Sequence, residues 1–236
     1  MKRNRWTHLL CLLALAWFSL ADASALAMPQ PTNVTVTEDG HEYAPLQTVK
    51  LRYKDWTYPG LDGQPINLRT WMKGKKLVLV VYFAPWCGNW RYEAEVLSRL
   101  HAKYQPHGLG IIAVNEYGTT DETRAFFGEA GAPYPVVVES EDRGRIGETS
   151  HALYRRMTGD FRTYGSPYNI FLEPAAVIET GEVLAEQVTV ANGELIEAEA
   201  EAFIREKLGL PAVSAPTAVP PQPAAPTPQK PSTVND

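Results

Sequence analysis

Cys87 stands in the run Phe83-Ala84-Pro85-Trp86-Cys87-Gly88-Asn89-Trp90, directly after the apolar segment Leu77–Phe83. A strand that hands a Trp-Cys pair to the start of a helix places the sulfur among unpaired backbone N–H groups, at the positive end of the helix dipole. Thiols in such places fall from a pKa of about 8.5 to about 3.5–7.5, and the thiolate is the species that attacks a disulfide. The chemistry expected here is thiol–disulfide exchange. Three residues on, where a dithiol site would carry its second sulfur, the chain has Trp90. A mixed disulfide at Cys87 would then persist until an outside thiol resolved it, because no internal thiol stands ready at high effective concentration.

Other chemistries fail on spacing. His41, His101, His107 and His151 are dispersed and make no metal cluster with Cys87. A peroxide-reducing site of the P-x-x-x-[ST]-x-x-C kind would need proline and a hydroxyl where Val80 and Ala84 stand. There is no C-x-x-C-H, no GxGxxG and no P-loop, so no cofactor and no metal is expected.

The ends bound the compartment and the partners. Residues 1–27 read as an export signal, with a basic start (Lys2, Arg3, Arg5), an apolar stretch over 9–20 and an Ala25-Leu26-Ala27 cleavage site. The apolar stretch is short for a membrane span, so no stable membrane insertion is expected after cleavage. Cleavage would remove Cys11, leaving Cys87 as the one cysteine. It would also remove three basic residues and Asp22, taking the formal net charge from −5 to −7. An acidic chain has no electrostatic case for nucleic acid. A single thiol builds no disulfide scaffold, so the fold must stand on its core. Residues 211–236, rich in Pro, Ala and Thr, read as a disordered, partly polyproline tail.

Between these ends the elements that must hold Cys87 follow from periodicity. Residues 34–37 and the turn pair Asp39-Gly40 suggest a hairpin within an N-terminal extension over 28–50. The run 59–65 is turn chemistry, and Ile66, Leu68 and Trp71 suggest a short helix. The segment 77–83 is apolar on both faces, as a central strand is. After Cys87, Tyr92, Val96, Leu97, Leu100 and Tyr104 predict one apolar helix face. Buried strands are expected at 110–115 and 135–139, with a helix over 120–129 between them that ends at Gly131. A helix over 149–157 follows, then a strand at 168–172 begun by Pro167 and an antiparallel partner at 182–188. The last helix is expected over 193–208. The strand–helix alternation implies an α/β domain with crossover connections.

These elements together resemble the thioredoxin superfamily, in particular its exported TlpA/ResA-like branch, over about residues 51–210. The carrying residues are Asp62-Gly63 with Leu68, the strand ending in F-A-x-W-C, Glu93 six residues after Cys87, and Ser166-Pro167 before a strand containing Phe171. The resemblance implies a thioredoxin-like fold, a central mixed β-sheet flanked by helices, in the bacterial periplasm. It also implies that Cys87 is the reacting thiol, that Glu93 tunes it or relays a proton, and that Pro167 is a cis proline lying against it. Trp86, Ser166 and Trp90 are expected to bind substrate; Trp90 most simply fills the space around the site, and in doing so would present an apolar recognition surface. The family pattern W-C-x-x-C stands here as W-C-G-N-W, and residues 139–164 are longer than the family requires, an insertion at the rim of the site. Two functions remain open. One is a single-cysteine thiol–disulfide oxidoreductase acting on protein or small-molecule thiols and disulfides. The other is a redox-inactive module that holds an extended peptide in the groove around Trp86, Trp90 and Pro167.

Overall fold

The computed structural model describes residues 34–38 and 40–212; the expected export signal, the start of the N-terminal extension and residues 213–236 of the expected tail lie outside these. The first elements are β1 (Thr35–Val36), β2 (Glu42–Ala44), β3 (Gln47–Lys54), β4 (Thr57–Pro59), β5 (Pro65–Asn67) and α1 (Leu68–Trp71). Then come β6 (Leu77–Phe83), α2 (Gly88–Tyr104), β7 (Leu109–Glu116), α3 (Thr120–Phe127) and β8 (Val136–Ser140). The chain continues with α4 (Ser150–Met157), β9 (Tyr168–Leu172), β10 (Val183–Ala191), β11 (Glu194–Leu195) and α5 (Glu197–Leu208).

Every residue of β6 is buried because the strand lies inside a six-stranded sheet ordered β3-β10-β9-β6-β7-β8. Alternate side chains of a strand point to opposite faces. Leu77, Leu79, Val81 and Phe83 therefore join one core with Leu97 of α2 and Ile204 of α5. Val78, Val80 and Tyr82 join a second core with Leu68 and Tyr154. β6, β7 and β8 run parallel, β9 is antiparallel to β6, and β10 is antiparallel to β9 and β3. The expected α/β architecture, a mixed sheet covered by helices on both faces, is what the chain forms.

Differences from expectation have tertiary causes. Gln47–Lys54 is an edge strand of the main sheet, so the boundary expected after residue 50 falls inside β3. The N-terminal hairpin forms, and its β2 also pairs in parallel with β11, made from residues expected in the last helix. Glu194 is held there by the Glu42 N–H, donated to its Oε1 at 2.9 Å, and by His41 Nδ1 at 2.7 Å from its Oε2. α5 begins only at Glu197. α3 starts on a reciprocal capping box between Thr119 and Glu122 and stops at Gly128, with φ 63°, earlier than the expected Gly131. On α2 the buried stripe is Trp90, Glu93, Ala94, Leu97, Leu100 and Tyr104, whereas Tyr92 is exposed.

Candidate active site

Cys87 is the N-cap of α2, with extended φ/ψ and no side-chain cap bond. The thiol is half-buried, and its Sγ lies 3.3 Å from the Ser166 carbonyl oxygen, which accepts from it. The sheet explains the meeting. β9 pairs with β6 so that Tyr168 lies opposite Tyr82. Two residues before Tyr168 is Ser166, and two after Tyr82 is Ala84. The Ala84 N–H donates to Ser166 Oγ at 3.0 Å, locking the strand exit to the loop that faces the thiol. The Ser166–Pro167 peptide is cis.

That loop is braced from beneath by Arg155, whose side chain is 2% exposed. Its guanidinium pairs with Asp160 at 3.0 Å and donates to the carbonyls of Tyr164 at 2.7 Å and Arg162 at 2.5 Å. The backbone passes so close that a Cβ on Gly165 would come within 1.9 Å of Arg155 Cζ; its φ of +52° also favours glycine. Burial would raise the Asp160 carboxyl, but hydrogen bonds from Arg162 and Arg155 outweigh it and hold the group well below the usual carboxylate range.

Glu93 is brought to the buried side of α2, not to its solvent face. Its Oε2 accepts from the Leu195 N–H at 3.0 Å, while its Oε1 has no partner among the described residues. Burial pushes its carboxyl up to about 8, against the opposing Leu195 N–H and Asn169 side chain. The group is therefore largely a neutral acid at pH 7. A protonated carboxyl has a hydroxyl to donate, and Asn169 Oδ1 is another buried acceptor without a donor.

Trp90 corrects the expectation of a recognition surface. It is fully buried, stacked on Phe83 at 4.1 Å between ring centroids and flanked by Phe126 of α3 at 5.7 Å. It fills the position of the missing sulfur with core and offers no face to a ligand. Trp86 is the aromatic that stays accessible, at 37% exposure. Its Nε1 donates to the Tyr117 carbonyl at 2.8 Å, the Arg143 guanidinium carbon lies 4.7 Å from its ring centroid, and Tyr164 meets it edge-on at 4.7 Å. Residues of the segment over 139–164 thus border the site. Sequence reasoning missed Tyr117 and Arg143 altogether. The one local signal was Gly118, where a Cβ would come within 2.2 Å of Pro85, just upstream of the thiol.

A cis peptide before β9, a Trp-Cys pair between β6 and α2, and three parallel strands continued by three antiparallel-paired ones make one pattern. Residues 49–149 match the model of the AhpC/TSA family. The fold is thioredoxin-like. Similar solved structures include a thioredoxin-family thiol:disulfide interchange protein of Chlorobium tepidum TLS, at 18% identity and TM-score 0.47, covering 68% of this chain and 98% of that one. A DsbF homologue of Corynebacterium diphtheriae is similar at 15% identity and TM-score 0.47, over 67% of this chain and 92% of that one. No curated protein matches the sequence. Among the described residues of this thioredoxin-like chain, no group of three or more His, Cys, Asp or Glu is arranged to hold a metal, and no helix is long and apolar enough to cross a membrane.

Proposed function

We propose that this thioredoxin-like protein is a single-cysteine thiol–disulfide exchange factor of the bacterial periplasm, akin to the TlpA/ResA-like branch and acting through mixed disulfides at Cys87. The observation that carries the reading is the half-exposed Sγ at the start of a 17-residue helix, 3.3 Å from the carbonyl of the facing loop. The Cys87 thiolate attacks one sulfur of a disulfide; that S–S bond breaks, a Cys87 mixed disulfide forms and the other sulfur leaves as a thiolate. An outside thiolate then attacks the substrate-side sulfur of the mixed disulfide: that S–S bond breaks, Cys87 leaves as a thiolate and a disulfide forms between the outside thiol and the substrate sulfur, because Trp90 has no sulfur to do so. Glu93, a neutral acid near pH 7, relays the proton, and the Ser166–Pro167 loop with Trp86 holds the substrate chain. The basic and apolar residues of 1–27 support export.

The burial of Trp90 favours a second reading, a binding module for extended peptides with no redox turnover. Its groove would consist of Trp86, Ser166 and Pro167 without Trp90. The two part on one experiment. The full chain and its Cys87→Ser variant are incubated with glutathione disulfide and with an unfolded disulfide-containing protein, quenched with acid and resolved without reductant. Exchange predicts adducts that need Cys87. An absence of adducts with the parent protein, together with equal peptide binding by the variant, would leave the binding module.

A further inference from the structure

We propose that Tyr117 is the positioning residue of the site: a strut that ties Trp86 to the segment over 141–164 and thereby sets access to Cys87. The inference rests on the reading of Cys87 as the reacting thiol. Tyr117 follows the last residue of β7 and has φ 60°, the one non-glycine residue with positive φ among the described residues. A bulky side chain in that region is strained and persists only where its surroundings over-determine it. The surroundings here are specific at both ends of the residue.

At the backbone end, the left-handed turn aims the Tyr117 carbonyl back at the Trp-Cys pair. It accepts two hydrogen bonds, from Trp86 Nε1 at 2.8 Å and from Arg143 Nε at 2.9 Å. Arg143 is thereby laid across the Trp86 ring, with its Nη2 donating to Glu122 of α3 at 2.9 Å. At the side-chain end, the ring is fully buried, and its hydroxyl lies 2.9 Å from Thr149 Oγ1 and 3.1 Å from His151 Nδ1. Thr149 is itself fixed as the N-cap of α4, accepting from the Ala152 N–H at 3.1 Å. Glycine or asparagine would hold the same turn with less strain. Neither would reach Thr149 and His151. The ring is therefore what the strain is spent on: α4 holds Tyr117, Tyr117 holds Trp86, and Trp86 is bonded directly to Cys87.

The test uses the full chain and two substitutions. Tyr117→Phe keeps the turn and its carbonyl but removes the hydroxyl bonds, and Arg143→Ala removes the cation over Trp86 from a half-exposed side chain. Three quantities are read: the Trp86 indole N–H resonance, assigned with Trp86→Phe; the rate of Cys87 alkylation by iodoacetamide; and the thermal midpoint. Both variants are expected to shift the Trp86 resonance and to change the alkylation rate about fivefold. That equals about 1 kcal/mol at 1.4 kcal/mol per decade, the net worth of one hydrogen bond. Arg143→Lys, which keeps a cation over the ring, should restore part of the change. Arg143→Ala should do this with the thermal midpoint nearly unchanged, which a merely structural role would not predict. An unmoved Trp86 resonance and parent-like alkylation in Arg143→Ala overturn the strut even if Tyr117→Phe fails to fold. Failure of the exchange reading is scored apart, as the absence of a glutathione adduct on the parent protein.

Discussion

Replacing Glu93 with glutamine should remove a loss of stability that the parent protein suffers as pH rises from about 4.5 to about 8. The carboxyl is 1% exposed and is pushed up to about 8 from its ordinary 4.5, chiefly by burial. In the unfolded chain it ionises near 4.5; in the fold it keeps its proton until about 8. Between those values the unfolded state binds fewer protons, so stability falls as pH rises. The contribution is intact below about pH 4.5, declines by about 1.4 kcal/mol per pH unit and is exhausted above about pH 8. The 3.5-unit span amounts to roughly 5 kcal/mol, of which about 3 kcal/mol is already lost at pH 7. Glutamine does not titrate. It keeps an oxygen for the Leu195 N–H. Urea unfolding of both proteins at pH 5, 6, 7, 8 and 9 gives the difference directly, and other titrating groups such as Glu116 cancel from it. The variant should gain steadily on the parent from pH 5 to 8 and then run parallel. A flat difference, or one of opposite slope, would mean that Glu93 is ionised in the fold, and its role as a proton relay near neutrality would go with it.

Three further outcomes follow from the packing. Trp90→Ala should cost about 3–5 kcal/mol, enough to threaten folding outright, so it is no neutral control for redox activity. Trp90→Phe should be far milder: it forfeits two ring carbons, about 1.6 kcal/mol, while removing an indole N–H that has no partner among the described residues and whose burial costs about 1–3 kcal/mol. Equal losses by chemical denaturation in the two variants would refute that accounting. Asp160→Asn should cost about 3–5 kcal/mol at pH 7 by leaving buried Arg155 without its carboxylate. Because the Asp160 carboxyl is held below its ordinary 3.8, the parent should lose this contribution only as pH falls below about 4, read as a falling thermal midpoint that the variant lacks.

The position of the thiol was legible in the local sequence. Seven apolar residues followed by Ala84-Pro85-Trp86-Cys87 and a 3.6-residue pattern specify a buried strand that hands a cysteine to a helix, and these are local properties of one stretch of chain. The Ser166-Pro167 pair was legible for the same reason, as punctuation before an apolar strand. Even Trp90 was within reach: counted from it, positions 90, 94, 97 and 104 make the apolar stripe of α2, and Glu93 sits inside that stripe. What periodicity does not carry is what lies across from a face. Whether the face at 90 and 93 is capped by solvent or by Phe126, Leu195 and Asn169 depends on contacts over tens of residues, so only the tertiary structure decided that Trp90 is core and Glu93 a buried acid. Gln47–Lys54 became a strand because Val183–Ala191, more than a hundred residues away, supplied the ladder. Residues 194–195 left the helix because His41 and Glu42 offered Glu194 better partners than a helix turn. The left-handed turn at Tyr117 is the extreme case: its own residue type argues against the conformation, and Trp86, Arg143, Thr149 and His151 must all be in place before it is the lowest state.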